Sequence, residues 1–147
     1  MRGVRPTKAV EEAECCAKKM GYNWITNTIP ALPFDALMFR KTVIIAVRVK
    51  KIRHAVDENT FIENQYPDDV EGLRLLPFPP CVIRELWVRT QNERSWRRFI
   101  IFNDTTAEIG FNHNDGYTNP HFREEEWRDS LNHTIAEYSI QSGNVEK

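Results

Sequence analysis

Between Phe34 and Lys51 the chain reads FDALMFRKTVIIAVRVKK, with a single acid, Asp35, opening one short apolar run and Lys50 closing the next. A carboxylate and a lysine delivered by neighbouring extended segments can hold a divalent cation and steady a developing negative charge. That is the work of metal-assisted hydrolysis at a phosphodiester. A metal-holding version of this arrangement wants a second acid, yet the position two residues before Lys50 holds Arg48. A further candidate acid, Glu14, lies in TKAVEEAECCAKKM, residues 7 to 20. This segment reads as a helix that Thr7 can cap, with lysines in its last turn and Gly21 ending it. Val10, Ala13, Ala17 and Met20 fall on one face of it. Glu14 sits on the border of that stripe, where an acid can serve a site or simply solvate the edge.

The elements that would position these residues follow from patterning. Residues 23 to 29, 34 to 39 and 42 to 50 read as three extended segments, the third rich in β-branched residues. In that third segment Val43, Ile45, Val47 and Val49 share one face, and Ile44, Ala46, Arg48 and Lys50 share the other. Apolar residues on both faces of its first half predict a central, covered strand, from whose C-terminal end Arg48 and Lys50 emerge together. Residues 57 to 75 read as helical, broken at Pro67, and PFPP at 77 to 80 forces an extended connection. Val82 to Thr90 and Ser95 to Asn103 read as a hairpin around the turn at 91 to 94. Asn103 to Ile109 adds a short strand or turn, and 112 to 119 a loop. Asn119 and Pro120 open a final helix to about Tyr138. The tail from Ser139 reads as frayed.

Charge is segregated along the chain although the net charge is only −1. Arg40, Lys41, Arg48, Lys50, Lys51 and Arg53 form a basic run with no acid among them, and Asp57 to Glu71 holds acids and no base. A second basic cluster holds Arg84, Arg89, Arg94, Arg97 and Arg98, interleaved with Trp87 and Trp96. Such a mixture can neutralise phosphates and stack on bases. The plainer reading is cross-strand aromatic packing, with basic residues shielding strand edges.

The order of helix, three strands, helix and strands resembles the core of the PD-(D/E)XK (restriction-endonuclease-like) nuclease superfamily. The archaeal Holliday-junction resolvases are the most similar in layout. The resemblance spans roughly residues 8 to 103 and is carried by Glu14 with AKKMGYNW, Asp35 in FDALMF, Lys50 in AVRVKK, and then RELWVR and WRRFIIF. It implies an α/β fold with a mixed central sheet flanked by helices, and a metal-dependent DNA endonuclease using Mg²⁺ or Mn²⁺. Asp35 would be the principal metal ligand, Lys50 the catalytic lysine and Glu14 an outer acid bonded to metal-bound water. Arg48, Lys51, Arg53, Arg84, Arg89 and Arg97 would contact DNA, and a homodimer would let the protein act on both strands. Arg48 departs from the family pattern, because an arginine cannot ligate Mg²⁺. Three explanations stand open. The second acid has moved, with Glu14, Asp57, Glu58 or Glu63 as candidates. Or Arg48 pairs with Asp35 or grips phosphate, leaving a nuclease-fold module that binds nucleic acid or a protein partner without chemistry. Or the strand is read one pleat out of step.

The bulk properties agree with a globular protein. Its 147 residues, 41% hydrophobic and 28% charged, suit one domain over 1 to 138 with a tail at 139 to 147. The longest strictly apolar run, Val43 to Val47, is far short of the roughly 20 residues of a membrane helix. The first residues go straight into charge with no apolar signal region, and Cys15, Cys16 and Cys81 suit reduced thiols, so a cytoplasmic protein is expected. His54, His113, His121 and His133 are scattered, with no zinc-ligand spacing.

Overall fold

The structure is a computed structural model, and it describes residues 7–53, 61–90 and 95–109. By its packing the chain divides into two units, residues 1–108 and 109–147. The architecture below is that of the first. The expected loop at 112 to 119, the final helix to Tyr138 and the tail lie outside the described residues. So do the acids Asp57 and Glu58 and the turn at 91 to 94.

The elements run α1 (Thr7–Lys19), β1 (Asn23–Thr26), β2 (Ala36–Arg40), β3 (Val43–Ile52), α2 (Ile62–Gln65), α3 (Pro67–Arg74), β4 (Ile83–Thr90), β5 (Arg97–Ile101) and β6 (Thr106–Glu108). The strands form a six-stranded sheet in sequence order. Neighbours are antiparallel except β3 and β4, which run parallel across the α2–α3 connection. A parallel pair needs such a crossover, and the helices supply it. This is a mixed sheet flanked by helices, an α/β fold. Among the described residues no helix is long and apolar enough to cross a membrane.

The pleat of β3 divides the core into two layers, as its alternation predicts. Ile45, Val47 and Val49 face α1 and pack with Ala9, Val10, Ala13, Ala17, Met38 and Trp87. Ala46 and Ile52 face α2 and α3 and pack with Ile62, Val70, Leu73, Leu86 and Phe99. The stripe on α1 therefore does what its spacing implies. The helix ends through Gly21 at φ 89, with the Tyr22 N–H donating to the Ala17 carbonyl at 3.0 Å and the Gly21 N–H to that of Lys18 at 3.0 Å. That is the Schellman arrangement, and Tyr22 and Ala17 meet in the core beneath it.

β1 stops at Thr26, three residues before the Ile29 boundary expected from sequence. Asn27 explains the difference. Its buried side chain donates to the carbonyls of Ile29, Leu32 and Phe34 and accepts the Ile29 N–H, so the chain curls around it. An amide that bonds nearby backbone in this way competes with the sheet ladder. The helical region at 57 to 75 resolves into α2 and α3, and Pro67 occupies the first turn of α3, where it sacrifices no hydrogen bond.

Candidate functional site

Asp35 lies one residue before β2, whose Ala36 pairs with Val47 of β3. Its N–H donates to the Val47 carbonyl at 2.7 Å, and its side chain then takes over where the strand ends: Oδ2 accepts the Val49 N–H at 2.7 Å. The carboxylate is 1% exposed, so it extends the ladder by one side-chain bond in the interior. The next residue along β3 on the α3 face is Arg48, with Nε 4.0 Å from Asp35 Oδ2. Asp35 and Arg48 thus meet, as one reading of the sequence expects. Lys50 follows on the same face, because the pleat repeats every two residues.

The residue that joins these two cations is Asp69, in the first turn of α3. Its Oδ1 is 3.3 Å from Arg48 Nε and its Oδ2 is 2.7 Å from Lys50 Nζ. Lys50 Nζ also sits 4.9 Å from the centre of the Tyr66 ring, a cation–π distance. Burial first, and the Asp69 charge second, raise the Tyr66 phenol above its ordinary 10.0. Asp69 was not among the acids singled out in the sequence. It lies 19 residues beyond Lys50, across a crossover whose length and direction no local pattern encodes. The available signal was its place beside Pro67 and Asp68 in a helix-opening triplet.

The other expected residues are placed elsewhere. Glu14 lies on α1, which covers the opposite face of the sheet from Arg48 and Lys50, and its carboxylate is 2.6 Å from Lys18 Nζ. Glu63 is 2.9 Å from Arg74, which also donates to the Phe102 carbonyl, so this pair ties α2 and α3 to the chain after β5. Lys51 and Arg53 are exposed at the end of β3. Arg84 donates to the carbonyls of Leu76, Phe78, Pro79 and Val82 and so holds the PFPP connection in shape. Burial lowers the pKa of its guanidinium below the ordinary arginine range. Arg89 pairs with Glu12 of α1 and lies over the Trp96 ring. Arg97 makes a two-pronged pair with Glu108 of β6. Arg98 meets the fully buried Glu85 at 2.9 Å and covers Trp87, whose Nε1–H donates to the same carboxylate. Trp87 and Trp96 are core residues, 6.3 Å apart. Packing, the plainer reading of the aromatic and basic hairpin, describes these contacts.

The donor set can be tested against a divalent cation. Among the described residues no cluster of three or more His, Cys, Asp or Glu side chains could hold a metal. The site offers two carboxylates, Asp35 and Asp69, with the cations Arg48 and Lys50 between them, so the four formal charges cancel. As paired here, both carboxylates are engaged by cations, which leaves no uncompensated acid for Mg²⁺, an ion that binds through one or two carboxylates together with phosphate.

No family model matches the chain. No curated protein matches it in sequence. Among solved structures, the chain is similar to Hjc, a Holliday junction resolvase from the archaeal hyperthermophile Archaeoglobus fulgidus. The identity is 15%, the match covers 72% of this chain and 84% of that one, and the TM-score is 0.49.

Proposed function

We propose that this chain is a nuclease-fold module that binds DNA phosphate through Arg48 and Lys50, with an ion-pair cluster standing where a metal centre would be. The observation that carries the reading is the pair of contacts from Arg48 and Lys50 to one carboxylate, Asp69, at 3.3 and 2.7 Å. Two cations from alternate residues of one strand converge on a single anion, and a phosphodiester offers two non-bridging oxygens to the same pair. Lys51 and Arg53, exposed just beyond, extend the positive edge. The module is read as acting on DNA without cutting it.

A second reading keeps the metal-dependent endonuclease, and one contact favours it: Asp69 reaches Lys50 from a neighbouring helix, where a relocated acid would stand. Asp35 and Asp69 would then be the metal ligands, Lys50 the catalytic lysine and Arg48 a phosphate contact. In this reading Glu14 has no direct part.

One experiment separates the two. Mg²⁺ and Mn²⁺ are titrated calorimetrically into wild type, Asp35→Asn and Asp69→Asn, free and with duplex, and the same proteins are assayed for cleavage of junctions, flaps and linear duplexes. The binding module predicts duplex binding, no saturable metal uptake and no cleavage. Metal uptake and cleavage that both variants lose would establish the endonuclease in its place.

A further inference from the structure

We infer that Asp69 is an internal stand-in for phosphate: its carboxylate closes the Arg48–Lys50 site in the free protein and has to leave before a phosphodiester can enter. The inference rests on the phosphate-binding reading above and adds a gate to it. The Asp69 carboxylate bridges the two cations with one oxygen to each. That is the geometry two phosphate oxygens would adopt on the same pair. With Asp69 in place the cluster is neutral; with Asp69 out it carries a net positive charge that an incoming phosphate would compensate. The carboxylate and the phosphate therefore compete for one seat.

The seat is also incompletely filled. Arg48 meets Asp69 through Nε, while its Nη1 is buried and has no hydrogen-bond partner among the described residues. A buried donor left without an acceptor is destabilising, and a tetrahedral phosphate carries more acceptor positions than the carboxylate it replaces. The position of Asp69 lets it leave without disturbing the core. It lies in the first turn of α3 beside the exposed Pro67 and Asp68, whereas the helix is anchored by the buried Val70 and Leu73. A turn of the Asp69 side chain toward solvent opens the site and leaves those anchors in place.

The test is a fluorescence-anisotropy titration of a short DNA duplex with wild type, Asp69→Asn, Asp69→Glu, Arg48→Gln and Lys50→Gln, each checked for folding by circular dichroism. Asp69→Asn removes the competing charge and is expected to bind about tenfold tighter than wild type. Asp69→Glu keeps the charge and is expected to bind as wild type does. Equal or weaker binding by Asp69→Asn overturns the gate. If Arg48→Gln and Lys50→Gln still weaken binding in that case, the phosphate reading survives. If neither wild type nor Asp69→Asn binds, or if the Arg48 and Lys50 variants bind unchanged, both fall together. A measurement on wild type alone covers a variant that does not fold. The ¹³Cγ resonance of Asp69 is expected to move toward that of a solvated carboxylate as duplex saturates the protein, and an unmoved resonance at saturation overturns the gate.

Discussion

Asp35 shows how one side chain can serve both fold and site. Its carboxylate, 1% exposed, accepts the Val49 N–H in the interior and lies 4.0 Å from Arg48. Asp35→Ala leaves that N–H without its acceptor and is expected to cost about 2–3 kcal/mol, read as a lower midpoint in urea unfolding. Glu85 is a second buried acid, held by Arg98 and by the Trp87 indole N–H. Removing one partner of a buried pair strands the other charge, so Glu85→Ala is expected to destabilise by about 3–5 kcal/mol. Glu85 and Arg98 sit beneath α1, away from the Arg48–Lys50 face, so in the unfolding range below that loss duplex binding should not change. Tyr66 gives a pH signature. Its phenol is raised in the fold, so an unfolded tyrosine ionises first. The stability it contributes is present below pH 10.0 and is lost as the pH rises from there through the folded value. Alkaline unfolding of Tyr66→Phe, followed by tryptophan fluorescence, should begin at higher pH than that of wild type.

At the scale of elements, strand alternation and helix punctuation account for most of what positions the site. Gly21 closes α1 at φ 89, and the nearest atom to an added Cβ is the flexible end of Arg40 at 3.8 Å. The space is open, so Gly21→Ala is expected to cost about 1–2 kcal/mol for the left-handed backbone alone, measured by thermal or urea unfolding. The helix α3 approaches the chain before β2 more closely: a Cβ on Gly72 would lie 3.3 Å from Pro33. The first turn of the same helix holds Asp69 beside Arg48 and Lys50 of β3. Side-chain pairs then join the elements, with Glu63 to Arg74, Arg89 to Glu12 and Arg97 to Glu108. These contacts absorb arginines whose spacing alone suggested a phosphate-binding surface.

For the whole molecule, a net charge of −1 provides no long-range pull on DNA, so the proposed binding would have to come from the local arrangement. Each phosphate neutralised by a lysine or arginine contributes roughly 0.9 to the slope of log affinity against log salt. Lys50→Gln is therefore expected to flatten that slope by about 0.9, whereas Arg84→Gln, whose guanidinium is spent on backbone carbonyls, should leave it unchanged. Titrations of duplex DNA over a range of salt concentrations read both.

The sequence by itself determined the order of the described elements from α1 to β6, the central place of β3 and the common face of Arg48 and Lys50. Each of these is local: period-two alternation, a glycine after a helix, a proline at a helix start. It also brought Asp35 and Arg48 into question together, because adjacent strands joined by a short turn leave little freedom of register. Only the tertiary structure decided which acid meets Lys50. The choice among Glu14, Glu63 and Asp69 depends on which sheet face each helix covers and on how α3 lies against β3, and both are set by packing between residues distant in the chain. The same holds for Arg84, Arg89 and Arg97. Their charge is written in the sequence, but the partners that engage it lie on other elements or in backbone carbonyls, and only the packed chain brings them within reach.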